Sequence, residues 1–301
     1  MLCRLEIIHR NRDRRRQVLK LKIAFAAALC LIALIAATLI GRKPAESSVV
    51  DAESYPTSSD NRIPILVELF TSEGCSSCPP ADELLMRLDE AQPVPDAEVI
   101  ALSEHVDYWN HLGWADPYSS ATFSARQNDY ARAFDTGEVY TPQMIVDGRV
   151  QFVGSNSNRA RDAIAAAARE PKAAVTLNLG SQNPAAASII LNVRVENLPV
   201  AASDHSCDVT LAITESGLRS SVARGENAGR HLTHTAVVRK LSHIGGIDPH
   251  KASTFSAQPI VRIDKTWKRD GLRVVAFVQE RSSRRIIGAA RLSLARLPVE
   301  Q

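Results

Sequence analysis

A Cys-x-x-Cys pair lies between an apolar run and a helix start, and this stretch restricts the possible folds more than any other. The apolar run Ile65–Phe70 predicts a buried strand. After a short polar turn come Cys75 and Cys78, and then Pro79 and Pro80, which the first turn of a helix tolerates. Unpaired N–H groups at a helix N-terminus favour a thiolate. The stretch therefore predicts a redox-active cysteine pair.

The first 41 residues predict an export segment. Arginines and lysines precede the uncharged apolar run Ile23–Ile40, which is near the lower limit for one membrane-spanning helix and longer than most signal-peptide cores. The basic side is expected to remain in the cytoplasm, so the chain after Gly41 is expected in the periplasm. An uncleaved inner-membrane anchor over residues 21–40, a cleaved signal peptide and a twin-arginine signal at Arg14-Arg15 all stay open.

The charge distribution gives no support to a nucleic-acid partner. The chain has 36 Lys and Arg against 33 Asp and Glu, a net charge of +3. Residues 1–43 hold ten of the basic and two of the acidic residues, which leaves 26 against 31 and a net charge of −5 in the remainder. The basic excess thus belongs to the export segment, and the expected partners are a protein and, through that segment, the membrane.

The middle of the chain predicts a linker followed by an α/β domain. Residues 42–62 are polar and Ser-rich, which is typical of a flexible linker. Residues 63–171 predict the element order β-α-β-α-β-β-α, with a hairpin turn at Asp147-Gly148. This is the order of the minimal thioredoxin fold, so we predict a thioredoxin-like α/β domain here.

Residues 172–301 have a different pattern. About seven alternating runs are separated by turn residues, which predicts an all-β, sandwich-like C-terminal domain. Cys207 opens one run and is expected to be a buried core thiol. Arg224–His231 is expected to be a loop between strands.

Four blocks of this sequence resemble a known family. They are VELFTSEGCSSCPPAD, HVDYWNHLGWADPYS, RQNDYARA and VYTPQMIVDGR. They resemble a family of secreted bacterial proteins known as domain of unknown function 1223. The resemblance implies a thioredoxin-like domain, with Cys75 as the attacking nucleophile and Cys78 as the resolving thiol. Ser76-Ser77 stands where thioredoxin has Gly-Pro, so the direction of electron flow stays open.

The same resemblance gives Thr141 and Pro142 a role. They correspond to the cis-proline loop of the thioredoxin superfamily, which offers backbone groups to an extended peptide. A trans bond and a plain loop role are the alternatives, because most X-Pro bonds are trans.

Two ionisable residues are candidates for supporting the thiols. Glu68 lies inside an apolar strand, where a carboxylate is costly without a partner or a role. The resemblance suggests that it accepts a proton from the resolving cysteine; an ion pair with a base such as Arg87 is the alternative. His105 is a candidate to stabilise the Cys75 thiolate, unless it bonds Asp107 and only holds the loop together.

An aromatic loop, residues 104–114, follows the second predicted strand. It is expected to border the cysteine pair, because parallel strands joined by a crossover end on the same side of a sheet. We therefore predict substrate contacts from Trp109 and Trp114. A metal site of His105, Asp107 and the cysteines, as for copper delivery, is an alternative, although the sequence has no Met cluster and no second pair that would complete a zinc site.

These patterns together predict an exported thiol–disulfide oxidoreductase that exchanges with a protein partner and needs no cofactor or metal. The competing prediction is a non-catalytic exported module that binds a peptide or a metal, in which the two cysteines only staple a loop.

Overall fold

The computed structural model describes residues 61–180, 188–199 and 205–295, and strands dominate them. Helices alternate with strands in the first part of this range only. Its elements are β1 (Ile63–Thr71), α1 (Pro79–Ala91), β2 (Ala97–His105), α2 (Ala121–Ala133), β3 (Gln143–Val146), β4 (Val150–Val153) and α3 (Ser157–Ala167). A 3-10 helix, Asn110–Leu112, lies between β2 and α2.

The second part of the described range consists of strands, apart from a 3-10 helix at Arg269–Gly271. Its strands are β5 (Ala174–Leu179), β6 (Ser188–Glu196), β7 (Cys207–Glu215), β8 (Leu218–Ser221), β9 (His231–His234), β10 (Val237–Ile247), β11 (Phe255–Ala257), β12 (Ile260–Arg262), β13 (Leu272–Glu280) and β14 (Ile286–Ser293).

One eight-stranded mixed sheet contains strands from both parts of the chain. Its order is β14-β13-β7-β10-β2-β1-β3-β4. The central strand β2 pairs in parallel with β1 on one side and with β10 on the other, where Val237 lies opposite Ser103. The remaining pairs in this sheet are antiparallel.

The predicted fold class is therefore wrong. In a thioredoxin-like α/β domain followed by a separate β-sandwich, the strands of each domain would form sheets of their own. Instead the protein is mostly β, and β10 continues the sheet that β1 and β2 begin. The predicted element order is present in the first part of the chain, but its strands do not form a sheet of their own.

Apolar cores cover both faces of the large sheet. On one face, β1 packs against α1 and α3 through residues such as Val67 and Leu85. The core on the other face contains Phe70, Tyr130 and Phe277, so it draws on both parts of the chain. A strand buried on both faces is continuously apolar, which explains the run in β1.

A third core lies between the strands of the C-terminal part. Strands β5, β11 and β12 pair with β6, and buried residues of this smaller sheet, such as Leu191, pack with Leu211 and Val274 of the large sheet. Cys207 belongs to this core and is a free, buried thiol. Burial raises the pKa of Cys207 to about 11, which agrees with the inert core role expected for it.

The hairpin predicted at Asp147-Gly148 joins β3 and β4 and also contacts the C-terminal part. Gly148 has φ +60°, and a Cβ built there would lie 2.0 Å from the backbone oxygen of Arg284. Asp147 accepts a hydrogen bond from Leu66 N at 2.9 Å and pairs with Lys172. The turn thus needs glycine both for its backbone and for the close approach.

The predicted export segment, residues 1–41, and almost all of the predicted linker lie outside the described residues. In the part of the chain that the structure describes, no helix is long and apolar enough to span a membrane.

Candidate functional site

Cys75 and Cys78 form a disulfide between β1 and α1, with their Cα atoms 5.5 Å apart. Cys75 N–H donates to Ser72 O at 3.1 Å and Cys78 N–H donates to Cys75 O at 3.2 Å, so consecutive turns carry the pair. Cys78 is the N-cap residue of α1, and prolines occupy its first helical positions. The predicted placement of the pair at a helix N-terminus is found.

The two sulfurs lie inside the protein. Cys75 and Cys78 are 0% exposed, whereas Ser76 and Ser77 between them are exposed. Cys75 Sγ lies 3.3 Å from the Ser77 hydroxyl oxygen. The exposed serines therefore show where the pair is nearest to solvent.

Five ionisable residues form a buried acid–histidine cluster in the elements that flank the disulfide. They are Glu73, Asp82, His105, Asp116 and His234. His105 Nδ1 lies 2.7 Å from Asp116 Oδ2, and His234 Nε2 lies 3.0 Å from Glu73 Oε1. Glu73 N–H also donates to Asp116 Oδ2 at 2.8 Å. The segment that carries Cys75 is thus joined to the aromatic loop and to β9.

Aromatic rings enclose the acid–histidine cluster. Tyr118 lies edge-on to His105 and to His234 with ring centroids 5.5 Å apart, and the two imidazoles are 5.0 Å apart. Trp114 Nε1 donates to Glu73 Oε2 at 2.8 Å. Trp114 therefore fixes the carboxylate of Glu73, a contact that its predicted substrate-binding role did not include.

Asp82 is the member of the cluster that lies on α1. It lies one helical turn after Cys78, a spacing that places both side chains on one face of α1. Burial raises the pKa of Asp82 to about 7; His234 acts in the opposite direction, and Asp116 adds to the increase. A carboxyl group that titrates near neutral pH can accept and return a proton.

Three buried polar atoms of the cluster have no hydrogen-bond partner among the described residues. They are Asp82 Oδ1, His105 Nε2 and His234 Nδ1. Buried polar atoms are normally paired, and unpaired ones occur at catalytic and redox sites among other places.

The predicted peptide-contact residues lie together next to the cysteine segment. The Thr141-Pro142 bond is cis, as the resemblance implied. Trp109 Nε1 donates to Thr141 Oγ1 at 2.8 Å. A Cβ built on Gly74 would lie 3.2 Å from Trp109 Cβ, so Trp109 lies against the residue before Cys75.

Pro142 also lies close to the helix that carries Cys78. A Cβ built on Gly154 would lie 3.1 Å from Ala81 Cβ and 3.2 Å from Pro142 Cβ. The cis-proline loop, Trp109 and the first turn of α1 thus border one another.

Glu68 lies elsewhere. It belongs to the face of β1 opposite α1, where Arg126 Nε donates to Glu68 Oε1 at 2.6 Å and the Tyr130 hydroxyl donates to its other oxygen. The base that pairs with Glu68 is Arg126, not Arg87. The structure does not bring Glu68 together with the cysteines.

Sequence reasoning missed Asp82, Asp116 and His234. The signal for Asp82 was present: positions 78, 82, 85 and 89 follow helical spacing, and Asp82 and Asp89 occupy the buried face of α1. A bond to Asp107 was the alternative to the predicted thiolate-stabilising role of His105, and the carboxylate that His105 contacts is Asp116 instead. His234 is 161 positions from its partner Glu73, and no local pattern links the two.

The metal alternative has no geometric support here. Within residues 61–180, 188–199 and 205–295, no group of three or more His, Cys, Asp or Glu side chains is arranged to hold a metal ion.

The fold and the site define a mostly β protein in which a buried Cys-x-x-Cys disulfide adjoins an acid–histidine cluster. The chain belongs to the family described as proteins of unknown function, DUF1223, whose model matches residues 66–279. No curated protein sequence matches the chain.

Two solved structures are similar to this protein. One is the crystal structure of protein AGR_C_4864 from Agrobacterium tumefaciens, whose sequence is 26% identical. Its TM-score is 0.61, and the alignment covers 80% of this chain and 98% of that chain. HBP35 of Porphyromonas gingivalis is 16% identical, with a TM-score of 0.55 and coverage of 78% of this chain and 76% of that chain. The second similarity concerns the fold alone.

Proposed function

We propose that this protein is an exported thiol–disulfide oxidoreductase that acts on protein partners through Cys75 and Cys78. The observation that carries the proposal is the disulfide at the N-terminus of α1 with Asp82, whose pKa is about 7, one turn further along the helix. A disulfide that only staples a loop has no need of a buried carboxyl group that titrates near neutral pH.

The exchange balances without a cofactor. The Cys75 thiolate attacks one sulfur of a partner disulfide; a bond forms between Cys75 Sγ and that sulfur, and the other partner sulfur leaves as a thiolate. The Cys78 thiol then loses its proton and attacks Cys75 Sγ. This restores the Cys75–Cys78 bond and releases the second partner sulfur as a thiolate. The partner gains two electrons, and the reverse sequence donates the disulfide.

Two features favour a thiolate at Cys75. The pair precedes α1, a 13-residue helix whose N-terminal dipole attracts negative charge. The Ser77 hydroxyl, 3.3 Å from Cys75 Sγ, is in reach to donate a hydrogen bond to that thiolate.

Asp82 is the proton acceptor for Cys78 in this proposal. The Cys78 thiol has to lose a proton before it attacks, and a base works best when its pKa is near the working pH. Asp82 meets that condition and lies on the same face of α1 as Cys78.

The cis-proline loop supplies the partner-binding surface. Neither the N–H nor the C=O of Thr141 has a backbone hydrogen-bond partner among the described residues. Unpaired backbone groups of this kind bind an extended peptide in the manner of an added strand. Trp109, half-buried beside Thr141 and Gly74, adds an apolar contact for the same peptide.

Replacing Cys78 by Ser is expected to trap partners, because the mixed disulfide on Cys75 then has no resolving thiol. The measurement compares adducts on non-reducing gels for Cys78→Ser and Cys75→Ser, both in a Cys207→Ser background so that the remaining cysteines match. Adducts with Cys78→Ser that dithiothreitol releases support the proposal. Equal adducts with both variants, or none with either, would contradict it.

The burial of both sulfurs favours a second candidate function, a non-catalytic peptide-binding module. In that case the cis-proline loop binds the peptide, and the disulfide only stabilises the fold around that loop. The two candidates differ in the reduction potential of the pair, because structural disulfides resist reduction far more strongly than catalytic ones.

A further inference from the structure

Residues 222–230, which join β8 to β9, form a segment that contacts the backbone of the cysteine turn. We propose that this cover segment closes the disulfide to solvent, that it has to move before Cys75 exchanges, and that Asn227 is the positioning residue that holds it closed. The inference rests on the proposed oxidoreductase function. It explains why a pair suited to exchange is 0% exposed.

Asn227 is buried by this contact. It is 1% exposed, whereas its neighbours Glu226 and Ala228 are exposed. Its amide nitrogen donates to the backbone oxygens of Glu73 and Cys75, both at 2.9 Å. A side-chain amide has two N–H donors, and both donors of Asn227 form hydrogen bonds with the backbone around Cys75.

A second residue of the cover segment contacts the same turn. Glu226 Oε2 accepts a hydrogen bond from Ser76 N–H at 3.0 Å. Hydrogen bonding from the Ser76 side chain, and then from its backbone N–H, lowers the pKa of the Glu226 carboxyl. Together the two residues bind the backbone of Glu73, Cys75 and Ser76, so the cover segment holds the turn on both sides of Cys75.

The cover segment has its own internal structure. Val222 N–H donates to Arg230 O at 3.0 Å, and Gly229 N–H donates to Val222 O at 2.8 Å. These bonds close the loop at its base, independently of the cysteine turn. Gly225 packs against Trp114, since a Cβ built there would lie 3.2 Å from Trp114 Cβ. To leave the turn as a unit, the segment has to break the three hydrogen bonds of Asn227 and Glu226 and the contact of Gly225 with Trp114.

Such a cover is expected to change the rate of thiol–disulfide exchange at the pair and to leave the exchange equilibrium unchanged. A closed segment slows attack on the disulfide by a small thiol, while a protein partner that binds along the cis-proline loop meets the pair with the segment displaced. The segment is proposed to close over the oxidised and the reduced pair alike, so its contacts cancel from the equilibrium and the reduction potential does not depend on them.

The test is the rate at which dithiothreitol reduces the disulfide in the full oxidised chain. Asn227→Ala loses both donors and is expected to react about tenfold faster, and Glu226→Ala about threefold faster. The reduction potentials of both variants are expected to equal that of the wild type. Ala228→Ser, an exposed change in the same segment, is the matched control and is expected to react at the wild-type rate.

The outcomes separate this inference from the proposed function. Unchanged rates in both Asn227→Ala and Glu226→Ala would overturn the cover, even if Cys78→Ser traps partners. Faster reduction that is matched by a shifted potential would also overturn it, because the segment would then act on the disulfide's stability. Faster reduction at a constant potential supports the cover, even if no partner is ever trapped.

Discussion

Asp82→Asn is expected to stabilise the disulfide-bonded protein by roughly 4 kcal/mol at pH 8, because the wild type there pays to ionise a buried carboxyl group. The size of this stability gain follows from the rise in the pKa of Asp82 from 3.8 to about 7 on folding. Asparagine has a similar shape and no charge to bury. The gain is therefore expected to vanish in acid.

The sign of this pH dependence is fixed by the raised pKa of Asp82. Between pH 4 and pH 7 the folded state keeps a proton that the unfolded state has released, so wild-type stability falls as pH rises through that window. Below pH 4 both states are protonated and the two proteins are expected to unfold alike. Urea unfolding at pH 4 and pH 8 measures the difference.

Glu83→Gln is the matched control for this prediction. Glu83 is the next residue in α1, and its side chain is 66% exposed. It is expected to change stability by less than about 0.5 kcal/mol at both pH values. An Asp82→Asn variant that is no more stable at pH 8 than at pH 4, relative to wild type, would contradict the assignment of a raised pKa.

Arg126→Met is expected to destabilise the protein by about 3–5 kcal/mol, because it leaves two buried carboxyl groups without their cation. Arg126 Nε lies 2.6 Å from Glu68 Oε1 and 3.3 Å from Glu104 Oε1. Its other nitrogens donate to Gln279 Oε1 at 3.0 Å and to the Tyr130 hydroxyl at 3.2 Å. Burial already raises the pKa of Glu104 well above its usual value. A buried carboxylate without its cation is therefore unfavourable in this core.

Chemical denaturation at pH 7 measures this effect. The control is Arg132→Met on the same helix, where the side chain is 72% exposed and a change of under about 1 kcal/mol is expected. The double variant Glu68→Gln with Arg126→Met is expected to recover part of the loss. A loss of under 1 kcal/mol for Arg126→Met would show that the network is not the stabilising contact described here.

Local structure around the cysteines was predictable from the sequence. An apolar run, two prolines and helical spacing give β1 and α1, and Asp-Gly between short apolar runs gives the β3–β4 hairpin. These features depend on residues a few positions apart. The resemblance to the family gave the cis bond before Pro142, which spacing alone does not contain.

The large sheet was not predictable in the same way. Strand β2 is buried along its whole length, and its apolar run Val99–Leu102 indicates burial but not which strand covers each edge. Its neighbour β10 is more than 130 positions away, and only one pair, Val237 with Ser103, sets their parallel register. The site shares this limitation, because His234 and Asn227 reach Glu73 from the same distant part of the chain.

The reduction potential of the Cys75–Cys78 pair at pH 7 tests the central claim most directly. Equilibration of the full chain with glutathione buffers gives this value. An exchanging pair is expected between about −270 and −120 mV, the range of known dithiol oxidoreductases. A value below about −300 mV, typical of structural disulfides, would contradict the oxidoreductase function and leave the peptide-binding module in its place.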